Sequence, residues 1–268
     1  NAAQLISKVG EPMGDFYAHP VKLDANGNKI VNPDGLYQVD ADTMVKIGNA
    51  MPKATGGFIN TFTYKGFTLE ALIDFRFGGY VMPTALNWMT SRGLTEISTT
   101  AMDKEHGGLS YYVTTDANGN TINVQTDAAT GPNGEKVYDD GILQEGVKAD
   151  GTPNDYIASS AYYYWNVYNW GGPQYSYSRY ELYIVENSYI KMRELSLTYA
   201  LPVNVAKKIG AKNVSLSVFG RNLFYFYRTI KDMDSEQATA GSRWFQQVNN
   251  VGTNPSTRTI GGSLRIGF

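Results

Sequence analysis

Groups able to do covalent chemistry are scarce in this chain. It has no cysteine, and its two histidines, His19 and His106, lie far apart in polar surroundings. A thiolate site is excluded, and an imidazole-based metal centre or catalytic triad lacks the residues to build it. No carboxylate pair, glycine-rich phosphate cradle or activated nucleophile is recognisable from spacing. The chain is therefore not expected to be an enzyme, and no cofactor is expected. Oxygen ligands at alternate positions do occur, since Asp24 to Asn28 and Asp116 to Asn120 both read DANGN and KADGTPND follows at 148–155. The twelfth position counted from Asp24 is Gly35 and from Asp116 is Asp127. Neither supplies the bidentate glutamate of an EF-hand, and Asx and glycine turn chemistry accounts for both stretches.

Chemistry of recognition is better provided for. The stretch SSAYYYWNVYNWGGPQYSYSRYELY, Ser159 to Tyr183, carries Tyr162, Tyr163, Tyr164, Trp165, Tyr168 and Trp170. Such rings combine apolar area with a polar tip and can present flat faces to a sugar, a peptide or a partner's surface. Alternatively a long loop folds on itself and uses them as a small core, the role expected of most of them. Glu70, Asp74, Arg76 and Arg265 form a second group, on the polar side of strongly alternating segments. A net charge of -2 gives no basic footprint, so no nucleic-acid partner is expected.

Strands must position these groups. Twenty tyrosines, 28 glycines and only 18% charged residues suit many strands joined by turns. In FTLEALIDFRF, Phe67, Leu69, Ala71, Ile73, Phe75 and Phe77 form one apolar face, opposed by Thr68, Glu70, Asp74 and Arg76. Phe58, Phe62 and Tyr64 precede it, and Lys65-Gly66 between them is a hairpin signal. In SYIKMRELSLTYALP, Ile190 and Met192 keep one phase and Leu195, Leu197, Tyr199 and Leu201 the other, so a bulge is expected at Arg193-Glu194. Val214, Leu216 and Val218 alternate before the aromatic run Phe224 to Tyr227, and a last strand runs from about Thr257 to Phe268. LISKVGEPMGDFY near the start is a sixth candidate with a weak period.

Connections alternate short and long: Lys65-Gly66, 78–187, 202–212 and 228–255, with another long stretch near 20–53. In an outer-membrane barrel every periplasmic turn is short and extracellular loops run long. With Phe268 on the periplasmic side, every connection falls on the side its length demands. Tyr64, Phe67, Tyr199 and Phe268 then form an inner aromatic girdle, and Phe58, Phe75, Phe77, Tyr189 and Phe224 to Tyr227 an outer one. The expected fold is all-β, a transmembrane antiparallel β-barrel. Two alternatives remain: a soluble or surface carbohydrate-binding β-sandwich, and a small passive porin with two more strands within 78–187.

Several segments together resemble the carboxy-terminal part of SusC/RagA-type TonB-dependent outer-membrane transporters of Gram-negative Bacteroidota. They are VGEPMGDFYAHPV, KIGNAMPKATGGFINTFTYKGFTLEALIDFRFGG, NSYIKMRELSLTYALP, VSLSVFGRNLFYF and the terminal strand, in the family's order. KDMDSEQ (231–237) is similar to the family's acidic segment after the penultimate strand, and it either rims a pore mouth or is a solvated loop. The resemblance implies a plugged barrel of roughly 22 strands, of which 1–268 supplies about six. No amino-terminal plug, TonB-binding segment or signal peptide is recognisable, so a fragment of a longer chain is expected. Also implied is import of an oligomeric nutrient, glycan or peptide, across the cell outer membrane. The implied partners are a SusD-like surface lipoprotein that closes over the barrel and lies near the aromatic stretch, the TonB complex acting through the missing part, and outer-membrane lipid. The barrel-assembly machinery would read Phe268 as its terminal aromatic signal. Glu70, Asp74, Arg76 and Arg265 would face the lumen and contact either ligand or plug.

Overall fold

A computed structural model describes residues 3–117, 119–169, 179–237 and 254–268. Strands β1 (Gln4–Ile6), β2 (Asp15–Ala18) and β3 (Val45–Asn49) form a small antiparallel sheet in the order β1-β2-β3. The chain then enters two strands of eleven residues each, β4 (Ala54–Tyr64) and β5 (Phe67–Phe77). Lys65 and Gly66 join them with φ of 45° and 86°, the paired positive values of the turn that matches strand twist.

The long connection after β5 has its own architecture. It opens with β6 (Tyr80–Val81) and helix α1 (Thr84–Ser91), continues through β7 (Leu109–Thr115), β8 (Thr121–Gln125), β9 (Val137–Leu143) and β10 (Ile157–Ser159), and closes with helix α2 (Ser160–Val167) and β11 (Val185–Glu186). β7 to β10 make a second sheet in the order β10-β9-β7-β8, and β11 pairs with β6 at the mouth of the connection. Ser159 caps α2 by accepting the Tyr162 amide, which satisfies one of the free donors at that helix start.

β12 (Tyr189–Ala200) returns alongside β5, and Pro202 stops it by removing a ladder donor. Helix α3 (Val203–Lys208) spans the short connection to β13 (Asn213–Arg228), and β14 (Thr259–Gly267) follows. The five long strands form one antiparallel sheet, β14-β13-β12-β5-β4, in which each strand pairs with its neighbour in sequence among the long strands. This up-and-down order, with strands of 9 to 16 residues, has the length that a tilted strand needs to span hydrocarbon, about 9–11 residues. Among the described residues no helix is long and apolar enough to cross a membrane.

Register confirms the phase slip read from the sequence. Both pairings of β12 shift between Met192 and Glu194, so Arg193 is the extra residue of a bulge. That bulge puts Ile190, Met192, Leu195, Leu197 and Tyr199 on a single face.

Two expectations are corrected. Leu5 to Tyr17 is not a wall strand, because Gly10 and Gly14 at φ of 86° and 90° break the extended run. Asp15 to Ala18 is also buried on both faces, unlike a strand between lipid and lumen, so the described wall holds five strands rather than about six. Tyr189 and Tyr225 belong to the aromatic end of the sheet but not to its outer girdle. They pair in the rows of Arg76 and Lys191, on the opposite face from Ile190 and Met192, and their rings meet edge-on at 5.9 Å.

The main core lies away from the long sheet. Phe16, Leu36, Ala158, Tyr164, Val167, Tyr168, Tyr180 and Tyr183 are buried together where the small sheet meets the long connection. The wall itself contributes little to any buried core, and this division decides where a site can form.

Candidate functional site

Paired rows across the wall define its two faces, since opposed residues of antiparallel strands share a side. One row runs Tyr64, Phe67, Tyr199, Leu216, Leu264, and the next runs Phe62, Leu69, Leu197, Val218, Gly262. Phe58, Ile73, Met192 and Phe224 form a row nearer the long connections. Many of these side chains are bare, with Phe62 64% and Leu264 62% exposed, while Met192 near the long connections is buried. A continuous apolar band of this extent is unlike the scattered exposure of a soluble domain and suits hydrocarbon. Aromatic pairs mark both ends, Phe67 on Tyr199 at 4.4 Å and Phe58 on Phe75 at 5.5 Å.

The opposite face is mainly polar, with Ile59, Leu72 and Phe219 as its apolar members. Thr63, Thr68, Thr198, Ser217 and Ser263 make a hydroxyl row, with hydrogen bonds of 3.3 Å between Thr63 and Thr68 and 2.8 Å between Thr198 and Ser217. Glu70 and Arg265 lie on this face and are exposed. Arg76 is half-buried near the long connection, where its Nε donates to the carbonyls of Asn187 at 3.1 Å and Gly78 at 3.3 Å. Asp74 pairs with Arg193.

Around Asp74 the structure brings the acidic KDMDSEQ segment onto the cations of β12, a pairing that the sequence did not announce. Lys191, 2% exposed, is ion-paired to Glu236 and donates to Ser256 Oγ at 3.3 Å. Glu236 also accepts from Arg193 Nη1 at 3.0 Å, and the same nitrogen donates to Asn222 Oδ1 at 3.2 Å. Asp234 accepts from the Tyr225 hydroxyl at 2.6 Å and from the Ser256 amide at 2.7 Å. Burial raises the affinity of Asp234 for a proton, but the donors from Ser256 and Tyr225 outweigh it and bring its pKa down to about 2. Glu236 is likewise opposed by burial and lowered, by Arg193 and Lys191. A cavity of about 650 Å³ lies beside the cluster, lined by Lys191, Asn222, Tyr225, Arg228, Asp234 and Ser256. In the sequence, the traces of this arrangement are the acidic KDMDSEQ segment, which supplies Asp234 and Glu236, and a pair of cations, Lys191 and Arg193, at the phase slip.

The aromatic stretch divides in the fold. Tyr164 and Tyr168 are buried, stacked on each other at 5.9 Å and, through Tyr168, on Tyr183 at 6.1 Å. Burial holds the Tyr163 and Tyr168 hydroxyls well above the usual phenol range. Tyr163 is half-buried against Tyr164, its ring edge-on at 5.1 Å. Tyr162 and Trp165 remain exposed; Tyr162 donates to Asp34 at 3.3 Å, and the Arg92 guanidinium lies 4.8 Å from the Trp165 ring and 4.0 Å from that of Trp88. Trp170 lies outside the described residues. Phe268 follows β14 at the short-turn end, exposed, with its carbonyl accepting from Lys212 Nζ at 3.0 Å.

The DANGN stretches are closed turns. Asp24 accepts from the Asn26 and Asn28 amides, both at 2.8 Å, and Asp116 accepts from the Asn120 amide at 2.8 Å. His106 pairs with Asp103 at 2.7 Å, and His19 Nδ1 lies 2.7 Å from the Thr43 carbonyl.

An antiparallel meander with a bare apolar outer face, a polar inner face, and short turns alternating with long loops is a wall segment of a transmembrane β-barrel. No protein-family model matches the chain, and no curated protein matches it. Solved structures do. A "RagAB peptide importer in the 'open-open' state" aligns over 100% of this chain and 24% of its own at 17% identity, with a TM-score of 0.51. A "RagAB peptide transporter" aligns over 97% and 23% at 16% identity, TM-score 0.49. The same importer in a "closed-closed" state aligns over 94% and 21% at 18% identity, TM-score 0.47. The chain thus spans about a quarter of the length of the solved chains it matches, and the likeness at a TM-score of 0.51 is one of fold alone.

Proposed function

We propose that this chain is part of an outer-membrane, TonB-dependent importer of SusC/RagA type that takes up an oligomeric nutrient, glycan or peptide, beneath a SusD-like lipoprotein lid. The observation that carries this reading is the wall itself: five strands whose outer face is apolar but for Asn60, with short turns at one end and long connections at the other. Such a face has no stable place in water, and unpaired strand edges have none in lipid. β4 and β14 therefore require further strands from the rest of a barrel. The fold likeness to a peptide importer at a TM-score of 0.51 supports transport rather than catalysis. In this reading the exposed Tyr162 and Trp165 of the outer connection touch cargo or lid, and Glu70 and Arg265 face the plug or the cargo.

The test is affinity purification of the polypeptide carrying this chain from outer membranes, followed by mass spectrometry of it and its companions. A chain about four times this length with an amino-terminal plug and a co-purifying lipoprotein is expected, by scale with the matched structures. Recovery of a detergent-independent soluble species lacking both would defeat the reading.

A further inference from the structure

We propose that Glu236 pins a lumenal strap: residues 230–237 and 254–258 lie against the inner face of the barrel wall, narrow its outer end, and are held there by Glu236 bridging Lys191 and Arg193 of β12.

The placement follows from register. Asp74, Lys191 and Tyr225 sit on the face opposite the apolar band, so whatever touches them is inside the barrel. Glu236 meets Lys191 and Arg193, while Asp234 meets Tyr225 and Ser256. Ser235 between them is 2% exposed, and its carbonyl accepts from Asn187 Nδ2 at 2.8 Å. Residues 234–237 therefore turn inward from the end of β13.

The ion pairs are not equivalent. Arg193 has two carboxylates, Asp74 and Glu236, whereas the ion pair of the buried Lys191 is with Glu236. Without Glu236, an ammonium stripped of water loses its counter-charge, a more costly state than losing an exposed pair. Without Lys191, Glu236 still holds Arg193. Removing the acid should release the strap, and removing the lysine should not.

Cysteine labelling distinguishes these outcomes. This chain has no cysteine, and Ser235 Oγ is buried with no hydrogen-bond partner among the described residues, so S235C is a mild reporter. The reporter is placed in the complete barrel-forming polypeptide, reconstituted in vesicles and exposed to a charged maleimide, with heat-modifiable gel migration reporting assembly. S235C alone should label slowly. Adding E236Q should raise the rate by at least about tenfold, while K191M should raise it far less. Rapid labelling of S235C with the native charges, an unchanged rate in E236Q, or equal effects of E236Q and K191M would each overturn the pin. If E236Q fails to assemble, the double variant K191M/E236Q takes its place: it removes the buried ammonium together with its counter-charge, should label at least about tenfold faster than S235C alone, and a rate equal to native overturns the proposal. These rates require no cargo, so the strap and the transport reading fail separately.

Discussion

At the scale of single residues, charge here places loops. Asp234 is the clearest case, ionised down to about pH 2 because Ser256 and Tyr225 donate to it. Its folded pKa lies below the usual aspartate value near 3.9, so its contribution is fully present above about pH 4 and is lost as pH falls through about 2. Discounted for solvent screening of a half-exposed group, that contribution is about 1 kcal/mol. The protection factor of the Ser256 amide, its exchange corrected for the intrinsic rate at each pH, should therefore fall toward the acid end across pH 2–5, with D234N low and flat throughout. Matching profiles in the two proteins would show that Asp234 does not hold this segment. Asp15 follows the same logic in the small sheet. Burial pushes its proton affinity up, but Lys46, paired at 2.6 Å, and Asn49 overcome this and hold it below the usual range.

At the scale of elements, the β4-β5 hairpin and the β12 bulge set the register of the wall. Gly66 has a φ of 86°, and a Cβ there would stand 2.9 Å from the Ala200 carbonyl oxygen across the short-turn end. An L-residue in that conformation costs about 1–2 kcal/mol before the contact is counted. G66A should lower barrel stability by at least about that much in a denaturant titration, whereas replacement of the neighbouring exposed Lys65 by asparagine, which tolerates positive φ, should be near neutral. Equal stability of G66A and the native barrel would mean that the turn does not specify this pairing. The hairpin was legible from its two-residue spacing and alternating flanks. The bulge was legible too, because Ile190 and Leu195 cannot share a face without one extra residue. The early segment misled because a weak period of two also arises in a short buried strand interrupted by glycines.

At the scale of the whole molecule, the wall is amphipathic across its thickness, and the loops carry the core that the wall lacks. Leu216 and Ser217 are adjacent on β13 and point to opposite sides of it. Arginine at a lipid-facing position costs about 2–4 kcal/mol near the bilayer midplane and less toward the interface, while a lumenal position tolerates charge. Val218, one row nearer the midplane than Leu216, gives the sharper comparison: V218R should destabilise the reconstituted barrel by about 2 kcal/mol or more, and S217R by less than about 1 kcal/mol. Equal penalties would place the wall in water rather than in lipid. The long connection is built differently, with stacked tyrosines enclosed between small sheets and helices. Its burial pattern leaves Tyr162 and Trp165 exposed while Tyr164 and Tyr168 serve the core.

By itself the sequence determined the faces of the wall and the alternation of its connections, because a strand's period of two and the length of a turn are local properties. The apolar rows, the Lys65-Gly66 turn and the slip at Arg193 all follow from neighbours within a few residues. What only the tertiary structure decided is which distant charges meet. Glu236 lies 45 residues from Lys191, and Asp74 lies 119 from Arg193. No periodicity links such positions; strand pairing brings them together, and desolvation of the lysine then makes the pairing consequential. The same holds for the aromatic stretch, where burial follows from what packs above and below each ring rather than from the run of tyrosines itself.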